Sequence, residues 1–265
     1  MKKIVCADNY VGFLCAVHAY FTGGNGTNSG HENESGTPNG NTRALANVEK
    51  TIVNEKHDRN FLDEYVFAPE DVETARTVRR GLENKGGKEF YCDFADGYRS
   101  GNPNKEEILL NYLKLFTKHG RAAFSMYDRA EVVAFGDIVR KVRGEAHLLC
   151  GFVRFMETAS GVYYGFFSAD NDILEILTRD FVHRFNAQSF VLHDYKRQKI
   201  AVWDGQSLEY LPVESGVEIE LSDCERVFQS IWKQYHKNVS IKERANPRLQ
   251  RQFCPKKYRH FMHEF

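Results

Sequence analysis

Apolar residues recur every three or four positions through residues 68–143, the period of a helix with one buried face. One run is bounded by Pro69 and by Gly86-Gly87. Proline is favoured at a helix start and glycine at a helix end, so this run predicts a helix between them. Two further runs cover residues 105–119 and 127–143. The pattern therefore predicts a helical subdomain over residues 68–143.

Beyond Gly144 the pattern changes to the two-residue alternation of strands. Residues 151–156 and 162–167 flank the turn-forming pair Ser160-Gly161, which predicts a β-hairpin. The remaining predicted elements are a strand at residues 2–7, a helix at 10–21, strands at 189–194, 199–203 and 207–212, and helices at 171–184 and 222–236.

These elements predict an α+β fold in a single domain that spans residues 1–265. We expect an antiparallel sheet with helices packed on it, and we expect the strand at residues 2–7 to join that sheet. The helical subdomain is then an insertion between the first strand and the rest of the sheet.

Residues 22–42 form an island of unusual composition, in which seventeen of 21 residues are Gly, Asn, Ser or Thr. A segment without aliphatic or aromatic side chains cannot bury enough apolar surface to offset the entropy lost on ordering. We therefore expect a flexible Gly/Asn-rich insertion, extending over residues 22–60.

The net charge conceals a segregation of charge along the chain. The 265 residues contain 36 Lys and Arg and 36 Asp and Glu, which sum to zero. Residues 226–265 carry ten of the basic and two of the acidic side chains, a net charge of +8, so the first 225 residues carry −8. Such asymmetry indicates a basic surface for an anionic partner, or an internal contact between acidic and basic parts.

Several classes of protein are excluded by composition and motifs. A hydrophobic fraction of 42 % excludes a disordered chain. The chain lacks the glycine-rich, P-loop, serine-hydrolase, zinc-protease and EF-hand signatures. It also lacks any apolar run near the ~20 residues of a membrane span.

The six cysteines are scattered without a close pair, and no cleavage site follows the N-terminal apolar run, so we expect a reduced, cytoplasmic protein. No third ligand accompanies His260 and His263, and we expect neither a metal nor another cofactor.

The segment Arg143–Phe155 combines titratable side chains with a predicted strand. Glu145 and His147 are expected between a helix end and the strand that carries Arg154, while Asp194 ends another strand. A Glu–His pair in a cleft beside the sheet can perform general acid–base catalysis. Arg154 can contact an anion beside Phe152, or form an ordinary surface pair.

The residues Asp170-Asn-Asp172 are typical of a helix N-cap, and we expect them to cap the helix at residues 171–184.

The C-terminal segment, residues 241–265, interleaves cations with amide and aromatic side chains, and Pro247 and Pro255 prevent one continuous helix. Lys and Arg can bind phosphates, Asn and Gln can reach bases or sugars, and rings can stack on exposed bases. The same cations could instead cover the acidic part of the chain. The candidate nucleic-acid-binding residues are Arg154, Lys242, Arg244, Asn246, Arg248, Gln250, Arg251, Lys256, Tyr258 and Arg259.

Three segments, Lys242–Tyr258, Arg143–Phe155 and Asp8–Cys15, resemble a bacterial family of DNA metabolism or DNA repair proteins built on a domain of unknown function. The resemblance implies a radical-SAM protein as partner, and some members carry a fused domain similar to uracil-DNA glycosylase. The sequence departs from the family pattern in its Asn/Gly-rich insertion, at Cys150 and Cys254, and at residues 170–172, where a His is expected.

Three functions remain open at this point. The leading hypothesis is a DNA-repair-associated protein that binds DNA through the basic C-terminal segment. The second is an enzyme that acts on damaged or modified DNA through Glu145, His147 and Asp194. The third is an interaction module whose basic segment contacts the radical-SAM protein or the acidic part of the chain itself.

Overall fold

The computed structural model describes residues 2–23, 50–213 and 219–262. The chain divides into two compact units, Met1–Arg140 and Lys141–Phe265. The elements of the first unit are β1 (Lys2–Cys6), α1 (Tyr10–Thr22), β2 (Lys50–Asn54), β3 (Glu64–Phe67), α2 (Val72–Gly86), α3 (Lys88–Tyr98), α4 (Lys105–His119), a 3₁₀ helix (Gly120–Ser125) and the start of α5 (Ala130–Phe152).

The sheet of the first unit consists of three parallel strands in the order β2-β1-β3. Ile4 in β1 lies opposite Ile52 in β2 and Val66 in β3. The expectation that the first strand joins the antiparallel sheet of the later strands is therefore wrong, because β1 finds both of its neighbours before residue 68.

The strand β2 also lies inside the region 22–60 that was expected to be flexible. Its central residues, Thr51, Ile52 and Val53, are all β-branched and favour an extended conformation. The low-complexity composition ends well before them. Residues 24–49 lie outside the described part of the chain.

Aromatic rings fill the core of the first unit. Helix α1 begins at its N-cap Asn9, whose side chain accepts a hydrogen bond from the amide of Gly12 at 2.8 Å. This start directs Phe13 into the core, where its ring centroid lies 6.0 Å from that of Phe94 and 5.1 Å from that of Tyr98. Phe94 and Tyr98 belong to α3, a helix that the sequence pattern did not predict.

The second unit holds the end of α5 and a larger sheet. Its other elements are β4 (Phe155–Glu157), β5 (Tyr163–Phe167), α6 (Leu174–Arg184), β6 (Phe190–Asp194), β7 (Lys199–Trp203), β8 (Leu208–Pro212), α7 (Asp223–Val239), a 3₁₀ helix (Lys242–Arg244), α8 (Pro247–Phe253) and α9 (Lys256–Arg259).

The five strands of this sheet follow the order β4-β5-β6-β7-β8, and their directions are mixed. The predicted hairpin is confirmed as an antiparallel pair, β4 with β5, but its first strand covers only Phe155–Glu157 because residues 151–152 belong to α5. The strands β6 and β7 are also antiparallel, as are β7 and β8. The strands β5 and β6 are parallel. Their connection contains α6, and a helical crossover returns the chain to the edge where β5 began, so an antiparallel pairing is not formed there.

The core of the second unit lies between this sheet and the helices. The ring of Phe155 meets those of Phe181 and Phe190 edge to face, with centroid distances of 5.0 and 5.5 Å. Gly165 lies opposite Phe155 in the neighbouring strand. A Cβ atom at residue 165 would approach that ring to 2.9 Å, so only glycine fits there.

The α+β class is confirmed, while the expected antiparallel sheet is correct only in part. The presence of two compact units does not test whether they fold separately, and the single domain stays a prediction. Across the described residues, every helix is too short or too polar to cross a membrane.

We predict that Phe13→Ala lowers the free energy of unfolding by about 3–5 kcal/mol, because Phe13 is fully buried and its removal leaves a cavity. Urea denaturation of the full chain measures the change. The matched control is Phe61→Ala, at a side chain that is 94 % exposed, and it should change stability by less than about 0.5 kcal/mol. Equal effects of the two substitutions would contradict this description of the core.

Candidate functional site

The carboxylate of Glu145 lies buried in the second unit, with 7 % of the residue exposed. Glu145 shares the inner face of α5 with the buried apolar residues Val142, Ala146 and Leu149. A buried carboxylate is costly unless several donors satisfy its oxygens. At its buried position, the carboxylate of Glu145 therefore needs several hydrogen-bond donors.

Two separate segments of the chain provide them. Oε2 accepts hydrogen bonds from the backbone and side-chain nitrogens of Asn171, at 2.8 and 2.7 Å. Oε1 accepts from the amide of Asp170 at 3.0 Å and from the hydroxyl of Tyr258 at 2.6 Å. Nζ of Lys257 lies 3.4 Å from the same oxygen. We call the group formed by Glu145, Asp170, Asn171, Lys257 and Tyr258 the Glu145 cluster.

Hydrogen bonding decides the charge state of this cluster. Burial would raise the pKa of Glu145, but the donors from Tyr258, Asp170 and Asn171 outweigh it and hold that pKa below its usual value. Burial, together with the Glu145 carboxylate, raises the pKa of Tyr258 to about 12. The cluster therefore contains an ionised carboxylate and a neutral phenol at neutral pH.

Lys257 carries the balancing charge. Burial would lower its pKa, but the carboxylate of Asp170, 2.5 Å from Nζ, and that of Glu145 raise it well above the usual value. Lys257 is thus a cation held between two carboxylates. Next to it, the ring of Tyr258 packs beside that of Phe152, with the ring centroids 5.9 Å apart.

The loop that supplies Asp170 and Asn171 is also held through its carbonyl groups. Arg197 donates hydrogen bonds to the carbonyls of Ala169 at 3.2 Å and Asp170 at 2.8 Å. The buried Asp194 orients this guanidinium, with 3.0 Å between the charged groups. Burial raises the pKa of Asp194, and Arg197 limits the rise. Glu145 and Asp194 therefore share one task, which is to fix this loop.

The expected boundary between helix and strand near Glu145 is wrong. Helix α5 continues through Gly144 to Phe152, so Glu145 and His147 both lie inside it. Residues two positions apart on a helix point to nearly opposite sides. Glu145 is buried and His147 is exposed, and the structure does not bring them together as an acid–base pair.

The expected N-cap at residues 170–172 is also wrong. Helix α6 begins at Leu174, and its N-cap residue is Ile173, which makes no side-chain cap hydrogen bond. Asp170 and Asn171 instead bind Lys257 and Glu145. A charged residue within the apolar stripe of α5 was the sequence signal that could have pointed to this pairing.

The C-terminal candidates differ in their exposure and contacts. Tyr258 is 3 % exposed and anchored with Lys257 in the Glu145 cluster, so its ring is not a surface for stacking. The exposed group consists of Arg244, Arg248, Gln250, Arg251 and Lys256.

Three other candidates make local contacts. Asn246 is the N-cap of α8, and its side chain accepts a hydrogen bond from the amide of Leu249 at 3.0 Å. Arg154 is half-buried and donates to the carbonyl of Gly151 at 2.7 Å, near the end of α5. Arg259 donates through Nε to the carbonyl of Cys254 at 3.0 Å. The side chain of Lys242 and all of His263 lie outside the described part of the structure.

Helix α7 presents a feature that the sequence pattern alone did not single out. Its N-terminus is anchored to β4, where the buried Glu225 accepts a hydrogen bond from the amide of Glu157 at 3.2 Å. The apolar residues Phe228, Ile231 and Tyr235 are exposed at helical spacing. An apolar stripe of this length on a helix surface is typical of an interaction site.

We predict that Tyr258→Phe loosens the C-terminal segment, because it removes the shortest hydrogen bond to Glu145 and leaves a buried acceptor with one donor fewer. The expected loss is about 1–3 kcal/mol in the free energy of unfolding. Hydrogen exchange should show faster exchange of the amides of residues 247–259.

The control is Tyr195→Phe, since Tyr195 is exposed, and it should leave exchange unchanged. Acid provides a second readout. The folded pKa of Glu145 is lowered, so its stabilisation is fully present above the ordinary pKa of 4.5 and is lost as the pH falls below it. The difference in stability between the native protein and Tyr258→Phe should therefore shrink at acidic pH. A difference that grows there would contradict the role given to Glu145.

The Glu145 cluster lies within the part of the chain that a known family covers. The family model described as "Domain of unknown function (DUF4130)" matches residues 103–264. A search of curated proteins found no match, and neither did a search of solved structures. The family match spans more than half of the 265 residues. The chain therefore belongs to the DUF4130 family.

Proposed function

We propose that this protein binds nucleic acid through exposed cations of its C-terminal segment and acts in DNA metabolism or repair in the cytoplasm. The observation that carries the proposal is the division of the segment into an anchored pair, Lys257 and Tyr258, and exposed cations. The anchored pair fixes the segment on the second unit.

The exposed cations have the properties of phosphate ligands. Within the described residues, no carboxylate forms an ion pair with Arg244, Arg248, Arg251 or Lys256. The charges of these four side chains are therefore not neutralised by the described carboxylates, in contrast to that of Lys257. Exposed Lys and Arg bind phosphates with release of counterions, which favours association at low salt. Phe253, whose ring is exposed beside them, is the aromatic residue placed to stack on a base.

We predict that the triple substitution Arg244→Gln, Arg248→Gln and Arg251→Gln weakens DNA binding about tenfold or more at low salt, because it removes three cations that bind phosphates. The plot of log affinity against log salt concentration should become shallower by about one for each of these cations. Fluorescence anisotropy with labelled single-stranded and duplex DNA measures both quantities.

The matched control removes the same number of charges from the first unit, with Arg80→Gln, Lys85→Gln and Lys118→Gln at exposed residues. It should preserve affinity and salt dependence. Failure of the native protein to bind either form of DNA at low salt would refute the proposal, as would equal decreases in affinity in the two triple variants.

A second candidate function is favoured by the exposed stripe of α7. The family resemblance implies a radical-SAM partner, and we propose that Phe228, Ile231 and Tyr235 contact that protein. Self-association through the same stripe is less favourable, because residues 226–242 of α7 and its C-terminal flank contain three Lys and one Arg and no acidic residue. Two copies of this helix side by side would place like charges together.

We predict that the double variant Phe228→Ser and Tyr235→Ser loses co-purification with the radical-SAM protein, because the substitutions remove the apolar surface that the partner covers. DNA affinity should be retained, which separates the two functions. The control, Tyr127→Ser with Val133→Ser, changes exposed apolar residues of the first unit and should co-purify normally. Co-purification of the α7 variant at native levels would exclude this contact.

A further inference from the structure

The first unit contains a cavity of about 510 Å³ that belongs to none of the surfaces discussed above. It lies beside the end of β2 and the first turn of α4, and Ile52, Val53, Asn54, Pro103, Glu106 and Glu107 are among its lining residues. Its lining follows the strand β2 from Thr51 to Asn54 and so reaches the carboxyl end of the parallel strands, where ligands of open parallel sheets commonly bind. The volume falls within the ~300–1,000 Å³ typical of small-molecule sites.

The chemistry of the cavity is dominated by Glu106, which is only 3 % exposed. Within the described residues, its one hydrogen-bond partner is Nδ2 of Asn54, at 3.5 Å, the outer limit of hydrogen bonding. A buried carboxylate normally has several donors, as Glu145 has. Glu106 therefore faces the cavity with most of its acceptor capacity unused.

Glu106 occupies a position in α4 that suits an acidic side chain. It is in the first turn of α4, where the positive end of the helix dipole stabilises a negative charge. The other polar atom of Asn54, Oδ1, is an acceptor that binds the amide of Lys56 at 3.1 Å, so it provides no donor to Glu106. The described residues thus leave the carboxylate in need of a further donor.

The basic side chains on the cavity wall do not meet this requirement. Lys3 pairs with Asp63 at 2.9 Å and contacts His57 at 3.1 Å, while Lys56 pairs with Asp8. The wall also includes the acidic Asp58 and Glu107. An anionic ligand is disfavoured by these carboxylates, and a ligand rich in N–H donors is favoured.

We propose that the cavity binds a small planar molecule that presents two adjacent N–H donors to the carboxylate of Glu106. A planar pair of donors matches the two oxygens of a carboxylate and forms paired, charge-assisted hydrogen bonds. Amidinium and guanidinium groups have this shape, and so does the N1–H and amino edge of guanine. Ile52 and Pro103 provide apolar wall on which the flat part of such a molecule packs.

Isothermal titration of the full chain tests the proposal with benzamidine as the amidinium probe and guanosine as the nucleobase probe. Binding of benzamidine alone assigns the site to an organic cation, and binding of guanosine in preference to inosine, which lacks the amino group, assigns it to a base edge. Glu106→Gln should weaken binding of the active probe about tenfold or more, because the charge is removed and one acceptor becomes a donor. Glu89→Gln, at an exposed acidic residue in the first turn of α3 and outside the cavity, should leave it unchanged.

A second variant separates loss of binding from an effect of Glu106→Gln on folding. Pro103→Trp fills the cavity from its exposed rim without altering the buried carboxylate, and it should abolish binding while thermal unfolding stays the same. The proposal is overturned if neither probe binds, or if binding persists at native strength in both Glu106→Gln and Pro103→Trp.

Discussion

The second unit depends on a single buried carboxylate. Glu145 accepts hydrogen bonds from five donors, three on the loop at residues 170–171 and two on α9. Without these donors the carboxylate would be a buried, unsatisfied charge on the inner face of α5. Without the carboxylate, the loop and α9 would lose their shared contact with that helix. The loop and the C-terminal segment, which are far apart in sequence, are thereby attached to the same helix.

This attachment divides the positive charge of the C-terminal segment into two parts with different physical roles. Lys257 is neutralised between Glu145 and Asp170, so it contributes to the fold and has little charge left for a ligand. Arg248 and Arg251 extend from α8 into solvent. Asn246 caps this helix, and Tyr258 in the following helix α9 is held by Glu145. An anchored segment presents its exposed cations with less loss of entropy on binding than a free tail would.

Patterns of local sequence predicted most helices and strands of the chain. The helix at residues 105–119, the strand at 2–7 and the pairing of β4 with β5 all follow from periodicity and from glycine and proline positions. Which strands pair could not be predicted in this way, because β1 joins β2 and β3 through contacts that local patterns do not encode. The parallel pairing of β5 with β6 follows from the helix between them, which is a constraint of topology and not of local periodicity.

The candidate site was predicted only in part: Lys257 was not among the candidate residues, and the arrangement of the others was not foreseen. Glu145, Asp194, Lys257 and Tyr258 do perform specific tasks, yet they satisfy one another or the backbone. Gly144 is typical of a helix end, and a helix that ended there would not include Glu145 in its apolar stripe. Once a carboxylate is recognised within that stripe, buried donors elsewhere in the chain become a physical necessity.

The Glu145–Tyr258 hydrogen bond spans 113 residues and has a consequence for biosynthesis. A ribosome delivers the helix α5 and most of the sheet long before it delivers residue 258. During that interval the carboxylate lacks its phenol and ammonium donors, so the second unit cannot reach its final packing while the chain is still growing past residue 257. The docking of α9 therefore follows the synthesis of the other members of the cluster, and a nascent chain stalled before residue 258 would expose the apolar ring of Phe152 that Tyr258 otherwise contacts.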